Sequence, residues 1–472
     1  MTESECRSIL ARPNAAIIAP AGHGKTEMIV NLVAFAEGKQ LLLTHTNAGV
    51  DALQKRLNQH PVSRDKYTVT TIAAFCTKWC NAYSRNAEFD RDISPVDKDS
   101  KKQYYQQLYQ GPKKIFAHQW AKDVLQATYT GIIIDEYQDC IQTQHEIFLA
   151  ISVFLPVRVL GDPLQGIFEF AGALVDWNDL GYEIVSIDTY PWRWEKTNCD
   201  LGAYLMTIRQ QLIPTLSKQP CNVQIHSCNG SIELLNPQSF DGYTLLKELQ
   251  MYNSVLYVSR WPKGQLDICK RMPGIFQYDE KQDCDELFAF AENFDSNCDS
   301  LLAAEVITFA SICATEVSTE LKVFANQMKL NNYDFSRIKN NKEFGEILTL
   351  CKGDTRHNTI LKILDWISQN TTFKQYRTEL YQEMIRSVKY AQSTGDSIYD
   401  TANYIRKDIA QQKRYTNFKY LSSRTLLSKG LEFDCVIIDM SDPLSAKEFY
   451  VAMTRAMKKI YILSNTSYLI WP

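Results

Sequence analysis

The 472-residue sequence predicts an α/β fold of at least two domains, in which parallel sheets are covered by helices and helical segments are inserted. Three observations predict it. Short apolar runs alternate with helix-length segments through the first half, similar runs return after residue 250, and apolar residues between about 285 and 405 repeat at helical spacing. The composition, 45% hydrophobic and 22% charged, is typical of a globular protein with two or three packed units.

The first predicted domain covers residues 1–190 and is built on strand-like runs. Their alternation with helices favours a parallel sheet buried on both faces. The runs are Ala15 to Ile18, Leu41 to Leu43, Ile132 to Ile134, Val157 to Leu160 and Ile184 to Ile187. Polar, Lys- and Gln-rich sequence at about 85–120 interrupts them and predicts a small helical insertion or, as the alternative, a solvated loop.

The second predicted domain covers residues 191–285 and 405–472. Its strand-like runs are Ser254 to Ser259, Cys435 to Asp439 and Ile460 to Ser464. Residues 286–404 separate its two parts. There Tyr376, Leu380, Met384 and Val388 fall on every fourth position, which predicts amphipathic helices and therefore a helical insertion.

Charge and cysteine usage restrict the class of protein. The net charge of −3 gives no global attraction to nucleic acid, so a nucleic-acid site must be a local groove. The 13 cysteines have no repeating spacing and no secretory signal is evident, which favours reduced thiols. No window reaches the roughly 18 apolar residues of a membrane helix. We therefore expect a cytoplasmic protein without a membrane partner.

A Gly-rich loop follows the first strand-like run. It comprises Ala19, Pro20, Ala21, Gly22, His23 and Gly24, followed by Lys25 and Thr26 at the start of a predicted helix. Backbone N–H groups of such a loop surround phosphates, a lysine reaches the β- and γ-phosphates, and a Thr hydroxyl binds Mg²⁺. Ala21 to Thr26 are thus the predicted nucleotide-binding residues.

Two carboxylates stand directly after the run Ile132 to Ile134. Asp135 is predicted to hold Mg²⁺, and Glu136 to act as the general base on the attacking water. An acidic turn that caps the next helix is the structural alternative. An apolar strand end rarely carries two adjacent carboxylates without a partner, which favours the metal site.

A third motif follows the run Val157 to Leu160. The Gln165 amide is predicted to hold a water or a γ-phosphate oxygen, and Phe168 and Phe170 are spaced to aim both rings the same way. Aromatic rings stack on bases without sequence preference. Packing of both rings in the core remains the alternative.

Two arginines far apart in sequence complete the predicted catalytic set. Arg193 opens the second predicted domain, and Arg455 lies on a predicted helix near the end of the chain. Guanidinium groups supplied across a cleft stabilise the charge that develops on transferring phosphate.

In this order the motifs resemble those of superfamily 1A helicases of the UvrD, Rep and PcrA type. The resemblance covers residues 15–195 and 420–465. It implies two RecA-like P-loop NTPase domains, a reduced 2B-like insertion, ATP and Mg²⁺ as cofactors, and 3′-to-5′ movement on single-stranded DNA, with RNA left open. No glutamine stands before the phosphate loop, so adenine selectivity also stays open.

The resemblance also assigns further site residues. Thr46, Asn47 and Phe75 would contact the strand beside Phe168 and Phe170, Trp192 would cover the adenine, and Glu432 would meet the ribose. The implied function is an ATP-dependent DNA translocase or helicase.

Two other functions are weighed against it. The chain is compact for the family, which also fits a nucleotide- or DNA-sensing NTPase subunit that regulates a partner nuclease, as the UvrD-like subunit of Gabija-type antiphage systems does. A non-hydrolysing nucleotide-dependent scaffold is the third reading, and the presence of Glu136, Gln165, Arg193 and Arg455 argues against it.

Overall fold

The computed structural model describes residues 1–93, 100–168, 172–228, 230–238, 242–280, 284–411 and 418–471. The chain divides into two compact units. The first contains Met1–Glu233, Ser445–Lys459 and Thr466–Pro472, and the second contains Leu234–Leu444 and Ile460–Asn465. This division differs from the predicted boundaries, because residues 191–233 and 445–459 group with the first sheet and the helical insertion groups with the second unit.

The first unit is built on a six-stranded parallel sheet in the order β3-β2-β4-β5-β1-β6. Its strands are β1 (Asn14–Ile18), β2 (Gln40–Thr44), β3 (Tyr67–Thr71), β4 (Gly131–Ile134), β5 (Val157–Gly161) and β6 (Glu183–Val185). All five predicted runs are strands of this sheet. The strand β3 has no apolar run in the sequence, because its residues are mostly threonines and are only half-buried at the sheet edge.

Both faces of this sheet are covered, as the alternation of side chains along β4 shows. Ile132 and Ile134 pack into one apolar cluster, whereas Ile133 packs into another. Successive strand residues point to opposite faces, so the continuous apolar run reflects burial on both sides.

The helices around this sheet include those of the predicted small insertion. They are α1 (Glu3–Leu10), α2 (Lys25–Phe35), α3 (Asn47–Leu57), α4 (Ile72–Ala82), α5 (Ser84–Ala87), α6 (Lys101–Ile115), α7 (Gln119–Thr128), α8 (Gln142–Ser152), α9 (Trp192–Glu195) and α10 (Cys199–Leu212). α5, α6 and α7 lie within or close to residues 85–120. The described part of that segment is therefore mostly helical and not a solvated loop.

The later strands form a second six-stranded sheet and a two-stranded one. They are β7 (Cys221–Gln224), β8 (Ile232–Leu235), β9 (Val255–Val258), β10 (Gln277–Tyr278), β11 (Tyr420–Ser423), β12 (Phe433–Asp439), β13 (Ala456–Leu463) and β14 (Tyr468–Trp471). The six-stranded order is β10-β11-β9-β12-β13-β8, and β14 pairs with β7 in antiparallel register. Together the two large sheets confirm the predicted fold class.

The remaining helices include those of the predicted large insertion. They are α11 (Gly242–Leu249), α12 (Pro262–Arg271), α13 (Asp285–Ser296), α14 (Asp299–Cys313), α15 (Val317–Glu320), α16 (Lys322–Lys329), α17 (Lys342–Leu350), α18 (Arg356–Gln369), α19 (Thr378–Thr394), α20 (Ile398–Gln411), α21 (Thr425–Ser428) and α22 (Ala446–Met453).

The helices α13 to α20 share an apolar core of their own. Phe294, Phe309 and Tyr381 lie at its centre. Leu380, Met384 and Val388 follow the predicted stripe on α19, whereas Tyr376 precedes that helix and packs into the core of the second sheet. Within the described residues, no helix combines the length and apolar character needed to cross a bilayer.

Candidate nucleotide site

The Gly-rich loop connects β1 to α2 at the carboxyl edge of the first sheet. The Ala19 N–H donates to the Gly161 carbonyl at the end of β5, at 3.0 Å. Gly24 is the N-cap of α2, and no side chain caps this helix. Because the first N–H groups of a helix have no internal acceptors, the loop and the start of α2 offer donors suited to a phosphate.

Two glycines of the loop have backbone conformations that L-residues rarely adopt. Gly22 has φ +72° and Gly24 has φ +79°. A Cβ at Gly22 would lie 2.7 Å from the Trp194 ring, and one at Gly24 would lie 3.3 Å from the Trp192 ring. The loop therefore requires glycine at both positions for its path and for its close neighbours.

Lys25 is paired with the predicted general base. Its Nζ lies 3.5 Å from one carboxylate oxygen of Glu136, and Lys25 is 9% exposed. The Gln138 side chain donates through Nε2 to the other Glu136 oxygen and accepts the Asp162 N–H through Oε1, at 3.0 Å. Glu136 has φ +52°, so the backbone turns sharply where its carboxylate meets the lysine.

Asp135 lies buried at the end of β4. Its carboxylate accepts the Glu136 N–H at 2.9 Å. Burial, followed by the nearby Glu136 charge, raises the pKa of Asp135 to about 7, although Lys25 opposes the shift. A buried carboxylate whose charge is not balanced by its neighbours is suited to bind a divalent cation. Thr26, in the first turn of α2, supplies a hydroxyl as a further ligand.

Asp162 is fully buried and gathers donors from several elements. It accepts hydrogen bonds from Ala21 N–H (3.2 Å), Leu164 N–H (3.3 Å), the Gln165 amide (3.2 Å), the Arg209 guanidinium (3.0 Å) and the Tyr450 hydroxyl (3.0 Å). Burial alone would raise the pKa of Asp162, but the charges of Arg209 and Lys25 and the hydrogen bonds lower it below its usual range. The carboxylate is therefore ionised at neutral pH.

The segment around α9 packs on the phosphate loop. The Arg193 N–H donates to the Gly22 carbonyl at 3.0 Å, and its guanidinium donates to the Thr454 carbonyl at 2.7 Å. Trp192 is 56% exposed, and its ring lies 4.8 Å from that of Tyr190. These contacts explain why Arg193 belongs to the first unit, whereas the sequence predicts it in the second domain.

The predicted second arginine also belongs to the first unit. Arg455 is 2% exposed, and its guanidinium donates to the Val451 carbonyl and the Thr454 hydroxyl. The preceding helix, α22, reaches the phosphate-loop neighbourhood through Tyr450 and Asp162. The structure thus brings the segment that carries Arg455 beside the loop, with the guanidinium bonded to Val451 and Thr454.

Glu432 is placed in the second unit, exposed in the turn before β12. Its predicted contact with the ribose stays a prediction.

The predicted strand-contacting residues fall into two groups. Thr46 and Asn47 are exposed after β2, at the same carboxyl edge as the phosphate loop. In contrast, Phe75 is 5% exposed and stacks on Phe116 in the core. This burial leaves little ring surface for a base. Phe168 is partly buried, and Phe170 lies outside the described residues.

His23 is buried inside the loop. Its Nδ1 lies 2.7 Å from the Ala21 carbonyl, which can only accept, so this nitrogen carries the proton. The other ring nitrogen is buried and has no hydrogen-bond partner among the residues that the structure describes. Burial lowers the pKa of His23, and the imidazole is neutral at pH 7.

Several residues that support this site are not among those predicted from the sequence. Gln138, Asp162 and Tyr450 lie within five positions of a predicted site residue, but their roles depend on contacts across the fold. Arg209 lies outside every motif. A signal existed, because Arg209 falls on the otherwise apolar buried face of α10 beside Leu205 and Leu212.

A phosphate loop after β1 and a buried carboxylate at the end of β4 define a P-loop nucleotide-binding domain of the α/β class. In agreement, residues 3–171 match the family model described as an AAA domain. This match covers the Gly-rich loop and both predicted carboxylates.

The chain is similar to the Gabija protein GajB of Bacillus cereus (strain VD045). The two are 30% identical over 193 residues, which cover 34% of this chain and 39% of the relative. The chain thus spans well under half the length of that protein. With the AAA domain match, this similarity confirms the predicted resemblance to P-loop proteins of the helicase type and to a Gabija component.

Solved helicase structures are among the fold matches. The arterivirus nonstructural protein 10 helicase in complex with DNA aligns with 98% of this chain and 62% of its own, at 10% identity and a TM-score of 0.35. The PRRSV helicase aligns with 98% of this chain and 54% of its own, at 9% identity and a TM-score of 0.31.

Proposed function

We propose that the chain is an ATP-dependent translocase or helicase that hydrolyses ATP at this site and moves 3′ to 5′ on single-stranded DNA. The observation that supports ATP hydrolysis is the pairing of Lys25 with Glu136 beside the buried Asp135. A loop that only bound nucleotide would have no need of a second carboxylate held 3.5 Å from the phosphate-binding lysine.

Each residue has a defined task in the proposed reaction. Thr26 and Asp135 would hold Mg²⁺, which would neutralise charge on the β- and γ-phosphates. Lys25 binds the same phosphates, and Glu136 accepts the proton of the attacking water. Its carboxylate is oriented for this by the Gln138 amide on one oxygen and by Lys25 on the other.

Other predicted residues complete the proposal. Gln165 orients the water, and Arg193 and Arg455 stabilise the developing charge. Trp192 covers the base of the nucleotide, and its position over Gly24 supports this role. Glu432 contacts the ribose. The DNA contacts proposed are Thr46, Asn47, Phe168 and Phe170, and Phe75 is left out because its ring is packed in the core.

The test compares NTP turnover with and without single-stranded DNA or RNA. We expect DNA-stimulated ATP hydrolysis that falls by at least about 100-fold in Lys25→Ala and in Glu136→Gln, with Mg·ATP still bound by Glu136→Gln. A matched control is the exposed Lys113–Glu146 pair of the same unit, at 2.6 Å. Lys113→Ala and Glu146→Gln keep the wild-type rate. Equal rates with and without nucleic acid contradict the motor.

A second candidate function is supported by the similarity to the Gabija protein GajB. In it, the chain is an NTPase subunit that senses nucleotides or DNA ends and regulates a partner nuclease. The discriminating experiment purifies the tagged full chain together with a nuclease encoded beside its gene. Co-purification that depends on ATP favours the sensor, whereas processive strand displacement by the chain alone favours the motor.

A further inference from the structure

The buried carboxylate Asp162 connects three parts of the nucleotide site that are distant in sequence. Its Oδ2 atom accepts from the Ala21 N–H of the phosphate loop, the Gln165 amide and the Tyr450 hydroxyl of α22. Its Oδ1 atom accepts from Arg209 of α10. We call Asp162, Arg209 and Tyr450 the Asp162 cluster. A neutral carboxyl would turn one of these acceptors into a donor, so the arrangement requires the anion.

Arg209 is the residue that keeps this anion in the interior. Its guanidinium lies 3.0 Å from Asp162 Oδ1, and the Asp162 side chain is 0% exposed. An ionised carboxylate buried without a counter-charge is strongly disfavoured, and removal of its partner leaves that cost uncompensated. Lys25 and His23 face the same carboxylate from the phosphate loop, and Tyr450 faces it from α22. Burial raises the pKa of Tyr450, so its hydroxyl stays a donor.

The cluster also fixes the orientation of the Gln165 amide. Because a carboxylate only accepts, Gln165 must present its Nε2 to Asp162, at 3.2 Å. The amide carbonyl is therefore turned away from the carboxylate. In the proposed reaction this carbonyl is the group that accepts a hydrogen bond from the attacking water.

We propose that Arg209, acting through Asp162, positions the Gln165 amide, the Ala21 N–H and α22 together for the chemical step. Arg209 is a positioning residue and does not touch the nucleotide. This inference rests on the proposed function, and it adds a residue that no helicase-type motif of the sequence contains. Its consequence is that loss of the Arg209 charge affects turnover far more than nucleotide binding.

The test uses the full chain with Arg209→Met, which removes the charge, and Arg209→Lys, which restores it. We expect kcat for ATP to fall by about 10- to 100-fold in Arg209→Met, while the Kd of a fluorescent ADP analogue changes by less than about threefold. Arg209→Lys recovers most of kcat. Tyr450→Phe, which keeps the anion and loses one donor, shows a smaller decrease.

A pH profile separates positioning from a structural role. Without Arg209 the proton affinity of Asp162 increases, so kcat of Arg209→Met falls as the pH is lowered from 8 to 6 relative to the wild type. The matched control is Arg158→Met. Arg158 is also buried, at 5% exposure, but it donates to the Leu10 and Arg12 carbonyls away from the loop. This variant loses stability and keeps the wild-type kcat and profile.

Hydrogen exchange of residues 19–26 in the nucleotide-free protein provides a readout that does not need turnover. Faster exchange in Arg209→Met than in Arg158→Met supports the cluster. Wild-type kcat in Arg209→Met, or a loss that Arg158→Met reproduces with the same pH profile, overturns the inference. If the wild type binds ADP but hydrolyses no NTP, the proposed function fails, and the exchange data still decide whether Arg209 holds the loop.

Discussion

Gly22 lies beneath the Trp194 ring, and its φ is +72°. In Gly22→Ala the new Cβ would stand 2.7 Å from that buried ring and 2.8 Å from the Arg193 Cβ. We expect a loss of about 2–4 kcal/mol in the free energy of unfolding from the combined strain and overlap, measured by chemical denaturation. Gly230→Ala is the control, since Gly230 has φ +73° but no atom within 4 Å of its added Cβ. It should cost only about 1 kcal/mol.

His23 gives the first unit a dependence on pH. Burial lowers the pKa of His23 in the folded state, so the unfolded chain binds the proton more readily. Stability is therefore lost as the pH falls below about 6.5, with a slope of at most about 1.4 kcal/mol per pH unit. Unfolding free energies of His23→Gln should show a shallower decline between pH 6.5 and 5 than those of the wild type. The exposed His226→Gln should retain the wild-type slope.

Whether a site residue can be predicted from the sequence depends on how that residue acts. Lys25 and Asp135 act through their place next to a strand end, and this place can be read from a local pattern. Arg209 acts on a residue 47 positions away, and only the folded chain shows that pair. Phe75 is predicted to contact DNA from its position in the chain alone. That position does not show that its ring stacks on Phe116 in the core.

Among the secondary-structure elements, a buried ion pair joins β10 to the helical insertion. Glu280, just after β10, is 1% exposed and accepts two hydrogen bonds from Arg377, at 2.6 and 2.7 Å. We expect Arg377→Met to cost about 3–5 kcal/mol at pH 7, because it removes the directly bonded counter-charge of a buried carboxylate. Glu286→Gln removes a half-exposed partner of the same arginine and should cost about 1 kcal/mol or less.

The pH dependence of Arg377→Met checks the cause of that loss. Burial already raises the pKa of Glu280, and removal of Arg377 raises it further. The folded state then binds a proton more readily than the unfolded state, so the variant should regain stability as the pH falls from 7 to 5. A deficit independent of pH, measured by denaturant unfolding, would show that packing causes the loss.

Strands of the first sheet were predictable because burial on both faces gives continuous apolar runs. The edge strand β3, with its threonines, has no such signal. The insertion helices were predictable as a group from their apolar period. Tyr376 continues that period by chance, and its side chain packs with the second sheet instead.

On the scale of the whole molecule, the end of the chain closes the first unit. β14 pairs with β7, and Trp471 packs against Phe449 of α22 with ring centroids 5.3 Å apart. Trp471→Ala should cost about 3 kcal/mol and increase hydrogen exchange in α22 and β7, while exchange in α14 of the second unit stays unchanged. Ile470→Ala, on the exposed face of the same strand, is the control. Equal exchange in both variants would contradict this role.

The division into units could be predicted only in part. Two sheets and a helical insertion were evident from the sequence. The assignment of residues 191–233 and 445–459 was not, because it depends on single contacts such as Arg193 to Gly22 and Tyr450 to Asp162.

The order of these segments has a consequence for synthesis on the ribosome. The phosphate loop is synthesised before α22, which supplies Tyr450 and lies more than 400 positions further along the chain. A nascent chain can thus form the first sheet and yet lack a completed nucleotide site until α22 has been synthesised. Truncated products of interrupted translation would carry the phosphate loop but lack the residues that complete the site for ATP hydrolysis.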